Sequence, residues 1–189
     1  TGHEGVFIYV SDHGEHAGTR SMYGKNTFYE ESVHVPMIFC GSGVGRGQLF
    51  NGATSLLDLG PTICDIAGAT IARDQEGRSL RPQLEGEKDD VDRMVISELG
   101  GRINKKTGEF FYGQMVKCGP YKYLRYYRDG VREGMFDISE DFLEQHDVLV
   151  DNEKDACLMK SFLDERCLSV DRIRENAEAE RINLEITMK

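Results

Sequence analysis

Residues 6–10 read Val-Phe-Ile-Tyr-Val, an unbroken run of apolar, β-prone side chains. Such a run predicts a strand buried on both faces, as in the centre of a parallel sheet with helices above and below. Side chains that follow the carboxyl end of such a strand leave the sheet and converge on a crevice where ligands bind. The next residues, Asp12, His13 and Gly14, are therefore expected at a binding site.

Asp12 and His13 are adjacent residues of metal-ligating types. A carboxylate oxygen and a neutral imidazole nitrogen both coordinate divalent cations, and Gly14 permits a sharp turn after them. A loop later, Lys25 supplies an ammonium group that can neutralise an oxyanion or a departing oxygen. The pattern predicts a divalent metal beside an anionic substrate. The alternative that the motif Asp12-His13-Gly14 leaves open is a capped turn after a strand.

The composition limits the classes of partner. The 189 residues carry a formal net charge of −10, which argues against nucleic acid as the main partner. Residues 117–132 are rich in basic and aromatic side chains, but alternating Tyr and Arg on a strand face is a simpler account than a nucleic-acid surface. No apolar run reaches the roughly 20 residues that span a bilayer, so a globular protein with no membrane partner is expected.

The five cysteines form no C-x-x-C pair, and their number is odd. They are predicted to be free thiols, which mildly favours a reducing compartment, with the cytoplasm slightly ahead of a periplasmic or secreted location. The chain opens at Thr1 without an initiator methionine, so we expect it to be a piece of a longer protein.

Residues 1–90 are predicted to form part of an α/β domain. Residues 14–25 are expected to form a loop over the carboxyl edge of the sheet, and residues 34–40 a second buried strand ending in a glycine-rich connection. Residues 58–67 are predicted to be a helix with Asp58 as its N-cap. Its expected core face consists of Leu59, Ile63, Ile66 and Ala67. Residues 77–90 read as a loop that crosses to a second subdomain.

Residues 91–189 are predicted to form that subdomain, a small α+β unit with an antiparallel sheet. Short strand-like runs lie at residues 94–97, 110–117, 121–127 and 134–138, separated by turn residues. Residues 155–168 predict an amphipathic helix, and residues 170–189 are helical in propensity. The helix is expected to pack through Ala156, Leu158, Met159, Phe162 and Leu163.

Six segments in the same order resemble the sulfatase family of the alkaline phosphatase superfamily. They are Ser11-Asp12-His13-Gly14; Gly24-Lys25 with Tyr29-Glu30 and Ser32; Val35-Pro36 with Ile38; Ser55, Asp58-Leu59 and Pro61-Thr62; Gly77 with Ser79-Leu80; and Tyr121-Lys122-Tyr123 with Phe136-Asp137. The resemblance implies an alkaline-phosphatase-like mixed sheet with helices, present here as a carboxyl-terminal portion. It also implies metal-dependent hydrolysis of a sulfate monoester.

The resemblance further implies that Asp12 and His13 bind Ca²⁺ and that Lys25 contacts the sulfate. The family nucleophile is a formylglycine made from Cys or Ser in a C-x-P-S-R motif, which is expected upstream with the first metal-binding aspartates. Cys118 has only a superficial likeness to that motif. On this interpretation the chain alone is inactive, and its partners are a small-molecule or sugar sulfate ester and the missing amino-terminal portion.

Alternatives stay open for the histidines and for the activity. His16 either contacts the substrate or lines a solvated loop, with the solvated loop favoured. His34 stands where many relatives have Arg, so a structural use is favoured there. A phosphonate monoester or phosphodiester hydrolase, or a phosphoethanolamine transferase, is the alternative within the superfamily. A non-catalytic module is the alternative outside it.

Overall fold

The first strand, β1 (Val6–Val10), pairs antiparallel with β2 (Met37–Gly41) in a two-stranded sheet, with Ile8 opposite Phe39. Among the described residues, the neighbour of β1 is therefore antiparallel and not parallel as predicted, and the predicted burial of β1 on both faces is not found. Phe7 is 62% exposed and Tyr9 55% exposed, while the alternating residues Val6, Ile8 and Val10 are partly covered. An apolar run does not by itself distinguish a strand covered on one face from a strand covered on both, because Phe and Tyr are favoured in either.

The computed structural model describes residues 5–187, with side chains through residue 181. The chain forms two compact units, Thr1–Val95 and Ile96–Lys189. In the first unit, a 3-10 turn at Thr19–Ser21 and helix α1 (Glu30–Val33) lie between β1 and β2. A 3-10 turn at Leu56–Asp58 leads into α2 (Leu59–Ile66), and α3 (Arg81–Leu84) lies within the predicted crossing loop.

The expected core face of α2 is wrong in part. Ile63 is 51% exposed and Ala67 is exposed, whereas Pro61 and Thr62 are buried. Thr62 can be buried because its hydroxyl forms two hydrogen bonds: it donates to Asp58 O at 2.6 Å and accepts from the Leu80 N–H at 2.9 Å. A satisfied hydroxyl can be buried at little cost.

The second unit is a four-stranded sheet with the order β3-β4-β5-β6, and it agrees with the predicted antiparallel subdomain. Its strands are β3 (Val95–Ile103), β4 (Phe110–Cys118), β5 (Tyr121–Tyr127) and β6 (Val131–Asp137). Helix α4 (Glu153–Arg166) packs on β4 and β5 through Ala156, Met159 and Leu163, while Leu158 is 58% exposed. Helix α5 (Val170–Thr187) follows, and residues 188–189 of the predicted helix lie outside the described residues.

The basic and aromatic run at residues 117–132 is used inside the sheet. Lys122 is fully buried and pairs with the buried Glu144. The Arg125 guanidinium donates to Gln114 Oε1 and to Asp164 Oδ1, both at 2.6 Å. These cations are neutralised within the unit, which supports the structural account of the run over a nucleic-acid surface.

All five cysteines are free. Burial, followed by the carboxylate of Glu98, raises the pKa of the Cys167 thiol to about 11. Cys157 is exposed on α4. Because the thiolate is the reactive form, we expect iodoacetamide at pH 8 to alkylate Cys167 on the order of 100-fold more slowly than Cys157. Mass spectrometry of peptides from timed samples measures both rates, and equal rates would contradict the burial of Cys167.

Candidate functional site

The end of β1 turns sharply and presents Asp12 and His13 together. The His13 backbone N–H donates to Asp12 Oδ1 at 3.0 Å, and the Ser11 hydroxyl donates to His13 O at 2.9 Å. The pKa of the Asp12 carboxyl is lowered: desolvation acts to raise it, but the adjacent His13 and backbone N–H groups outweigh that effect. The turn therefore holds Asp12 as a carboxylate.

The ring of His13 has a defined orientation. Its Nδ1 lies 2.8 Å from Gly14 O, and because a carbonyl only accepts, Nδ1 carries a hydrogen. In the neutral ring, Nε2 then presents a lone pair. Nε2 lies 3.3 Å from Asp12 Oδ2 and also contacts Lys25 Nζ. The structure therefore brings the three predicted side chains, Asp12, His13 and Lys25, to one place.

This donor set fits two ligands of a divalent cation. Asp12 is exposed at 82% of its side chain and His13 at 36%, so both heads are accessible. A carboxylate oxygen and an imidazole nitrogen with its other nitrogen bonded to a carbonyl form a common ligand pair. Among the side chains of residues 5–181, no group of three or more from His, Cys, Asp or Glu is placed to hold a metal. These two side chains alone would leave a divalent cation short of ligands.

His16 is only 2% exposed, so the favoured solvated-loop interpretation is wrong. Its Nε2 lies 2.7 Å from Thr27 Oγ1, and its ring meets that of Tyr29 edge to face. Its Nδ1 is buried with no hydrogen-bond partner among the described residues. The bond to Thr27 lets the His16 ring be buried. The sequence does not reveal this bond, because the two residues are 11 positions apart. A contact between His16 and substrate stays a prediction.

His34 lies at the end of α1, and its Nδ1 is 3.4 Å from Glu30 Oε2, one helical turn earlier. The pair is a local contact of the i, i+4 type. This agrees with the structural use favoured for His34. Cys118 is the last residue of β4, and the turn that follows at Gly119 leads directly into β5.

Gly14 is required where the site turn meets α1. Its N–H donates to Ser32 O at 2.9 Å, and a Cβ at this position would lie 2.0 Å from Glu31 O. We expect Gly14→Ala to lower the free energy of unfolding by about 3 kcal/mol, because the obstacle is backbone rather than a mobile side chain. Chemical denaturation measures the change. Gly5→Ala is the matched control, since nothing lies within 4 Å of its Cβ, and a loss as large there would contradict the explanation.

Two of the motif segments form one buried polar cluster that the sequence analysis missed. Asp58 does not cap α2 with its side chain; Ser55 N–H donates to Asp58 Oδ2 at 2.9 Å in a capping box on the 3-10 turn. The Arg93 guanidinium binds the same carboxylate through two bonds of 2.7 and 2.8 Å, and Arg78 N–H adds a third donor group. The S-x-x-D spacing is a capping-box signal that could have indicated this arrangement.

The cluster also explains Gly77. A Cβ on Gly77 would lie 2.0 Å from Leu57 O, so only glycine lets the two segments approach. These residues build the scaffold and take no part in the metal pair. A separate cavity of about 270 Å³ lies between β2, residues 44–54 and α3, and its lining includes none of Asp12, His13 or Lys25.

Comparison with known proteins identifies the family of the chain. The sequence model of the family described as "N-sulphoglucosamine sulphohydrolase, C-terminal" matches residues 14–170. The chain therefore belongs to the sulfatase family, and the matched region is the carboxyl-terminal one. Its fold is that of the alkaline-phosphatase-like sulfatases.

The similar proteins are longer. The chain is 31% identical over 184 residues to the Delta 4,5-hexuronate-2-O-sulfatase of Bacteroides thetaiotaomicron, covering 94% of this chain and 36% of that protein. A solved structure of a 2-O GAG sulfatase superposes with a TM-score of 0.74 at 27% identity, covering 92% of this chain and 38% of that one. The phosphonate monoester hydrolase of Silicibacter pomeroyi gives a TM-score of 0.68 at 27% identity, with 85% and 34% covered. The chain thus spans between about a quarter and two fifths of the length of the proteins it matches.

Among the described residues, no helix combines the length and apolar character needed to cross a lipid bilayer.

Proposed function

We propose that this chain supplies metal-binding and sulfate-contacting groups to a sulfuric ester hydrolase. The reaction is hydrolysis of a sulfate monoester, in which water cleaves the ester to an alcohol and inorganic sulfate. The observation that carries the proposal is the meeting of the Asp12 carboxylate, His13 Nε2 and Lys25 Nζ at one place. Membership of the sulfatase family supports the choice of a sulfate ester.

Asp12 and His13 would hold the cation, for which Ca²⁺ is proposed. A bound cation would supply positive charge beside the sulfuryl oxygens. Because Ca²⁺ takes 6–8 ligands, most of them oxygens, two side chains cannot complete its shell. We therefore propose that further ligands and a formylglycine nucleophile come from polypeptide preceding Thr1, and that the 189-residue chain alone is inactive.

Lys25 would bind a sulfate oxygen through its ammonium group. Lys25 is exposed, and its Nζ already lies against the ring nitrogen that faces Asp12. A cation held in place before the reaction stabilises developing negative charge without having to reorganise. His13 Nδ1, fixed by Gly14 O, keeps Nε2 pointed at the same location.

The proposed substrate is a sulfated sugar, which the names of two similar proteins support: one is a hexuronate 2-O-sulfatase and the other a 2-O GAG sulfatase. The proposed partners are this ester and the amino-terminal portion of the same protein, with neither nucleic acid nor a membrane surface. The neutralised cations at Lys122 and Arg125 support the exclusion of nucleic acid.

A phosphonate monoester hydrolase is the second candidate, and the superposition on the Silicibacter pomeroyi enzyme favours it. Sulfate and phosphonate monoesters both present tetrahedral anions to a metal and a lysine, so the described residues suit either. Both esters carry one negative charge, so the features that discriminate them are the leaving alcohol and the carbon substituent on phosphorus.

Paired esters test the proposal. The complete enzyme is assayed on 4-nitrophenyl sulfate, a 2-O-sulfated unsaturated uronic acid disaccharide and phenyl phosphonate monoester, with Ca²⁺ present. We expect kcat/KM for the sugar sulfate to exceed that for the phosphonate by at least 100-fold. A phosphonate preference would overturn the first candidate and establish the second.

Calorimetry on the 189-residue chain tests the incomplete metal sphere. With two protein ligands we expect Ca²⁺ to bind no more tightly than about 1 mM, in the range of weak sites. Asp12→Asn is the matched control and should abolish the residual heat. Micromolar binding would contradict the need for upstream ligands.

A further inference from the structure

The loop between His13 and Lys25 doubles back on itself. Three of its residues, Ala17, Arg20 and Ser21, adopt left-handed φ angles of 49°, 57° and 57°. Gly18 N–H donates to Met22 O at 2.9 Å, which closes the tip of the loop. The base of the loop is closed separately, by contacts between residues 15–16 and residues 24–27.

Gly24 is the residue before Lys25, and hydrogen bonds fix both of its peptide groups. Its N–H donates to the carboxylate of Glu15, and its carbonyl accepts from the His16 N–H at 3.0 Å. The acceptor of the second bond belongs to the peptide group that joins Gly24 to Lys25, so this bond fixes the backbone directly before Lys25. Gly24 has a φ of 88°, so it reaches this geometry without the penalty that a side chain would bring.

His16 also holds the other side of Lys25. Its ring contacts the hydroxyl of Thr27, two residues after Lys25, at 2.7 Å. The Thr27 hydroxyl lies 3.0 Å from Ser32 Oγ, and Ser32 O in turn accepts from Gly14 N–H. The chain of contacts therefore ties both flanks of Lys25 to the segment that directly follows Asp12 and His13.

We propose that Glu15 and His16 are positioning residues that place the Lys25 ammonium beside His13 and the cation site. The proposal rests on the proposed function only for the role of Lys25, because the contacts themselves are independent of it. A lysine has a long, flexible side chain, so its location depends on where its backbone is fixed. Glu15 is exposed and His16 is buried, and this positioning role requires no contact between either residue and the ester.

We call the contacts by which Glu15 and His16 fix the backbone on both sides of Lys25 the clamp. Variants at Glu15 separate the effect of the clamp from a general effect of charge. Glu15→Gln keeps an oxygen that accepts the Gly24 N–H, whereas Glu15→Ala removes the acceptor. In the complete enzyme we expect Glu15→Ala to lower kcat/KM for the sulfate ester by about 10- to 100-fold, the cost of displacing a catalytic group by about 1 Å. Glu15→Gln should stay within about threefold of the wild type, and so should Glu87→Ala, an exposed control in the same unit.

Crystal structures of the same complete proteins give a readout that does not need activity. We expect Lys25 Nζ to move away from His13 Nε2 by at least 1 Å in Glu15→Ala and to stay in place in Glu15→Gln. His16→Gln, which can still reach Thr27, should keep Lys25 in place, and His16→Phe should release it. Thermal melting of each variant identifies any that fails to fold. If a variant of the buried His16 does not fold, the two variants of the exposed Glu15 decide whether the proposal holds.

Two outcomes overturn the clamp. One is an unmoved Lys25 in Glu15→Ala, and the other is an equal loss of activity in Glu15→Ala and Glu15→Gln. If the wild-type enzyme hydrolyses no sulfate ester, the proposed function fails, and the crystallographic position of Lys25 still decides the clamp.

Discussion

Replacing Asp58 by alanine is expected to lower the free energy of unfolding by about 3–5 kcal/mol, the loss typical when one partner of a buried ion pair is removed. Asp58 is fully buried, and its carboxylate accepts from Arg93, Ser55 N–H and Arg78 N–H. The variant leaves the Arg93 guanidinium, itself only 14% exposed, without its partner. Urea denaturation monitored by circular dichroism measures the change.

Asp74→Ala is the matched control, because Asp74 is an exposed aspartate in the same unit. Its effect should stay within about 0.5 kcal/mol. A loss at Asp58 no larger than the loss at Asp74 would show that the cluster is dispensable.

The same carboxylate predicts a pH dependence. The pKa of Asp58 is lowered, since burial acts to raise it but the bonds from Arg93 and the backbone outweigh burial. A lowered folded-state pKa gives stability that is complete above the unfolded pKa, about 3.9, and is lost as the pH falls through the folded value. The stability difference between wild type and Asp58→Asn should therefore be constant from pH 7 to about 5 and shrink below pH 4. A difference that grows on acidification would have the wrong sign.

Lys25→Ala is expected to lower kcat of the complete enzyme on a sulfate ester by about 10²–10³-fold, the effect of removing one preorganised charge from a developing oxyanion. The free energy of unfolding should change by less than about 0.5 kcal/mol, because Lys25 is exposed. Steady-state kinetics and denaturation on the same preparation measure both quantities.

Lys88→Ala, another exposed lysine of the first unit, is the control for a loss of charge alone. Lys25→Arg keeps the charge but changes the donor geometry, so it should recover only part of the activity. Undiminished turnover in Lys25→Ala would remove Lys25 from the reaction.

The sequence predicts the second unit well because its signals are local. The limits of β5 agree with the prediction, and the antiparallel pairing follows from short strands separated by turns. The limits of β3 do not agree, since it continues to Ile103, six residues beyond the predicted end at residue 97. Helix α4 was also predicted, and its exposed Leu158 shows that an apolar residue near the buried face need not be covered.

The first unit was harder to predict, because its interior is built from polar contacts between distant residues. The Asp58–Arg93 pair joins residues 35 positions apart, and His16 bonds Thr27 across a loop. Burial of Asp58, Thr62 and His16 depends on partners that hydrophobic periodicity does not reveal. The expected parallel neighbour of β1 was also wrong, because an apolar run carries no information on strand direction; the observed neighbour, β2, is antiparallel.

The meander order of β4, β5 and β6 has a consequence for how the second unit assembles. Each strand pairs with the next one along the chain, and only short turns separate them. Ends joined by short turns meet with little loss of loop entropy, and sheets made of neighbouring strands fold faster than sheets made of distant ones. We therefore expect this three-stranded portion to form early during biosynthesis, as soon as residue 137 has left the ribosome, and to provide the surface on which α4 later condenses.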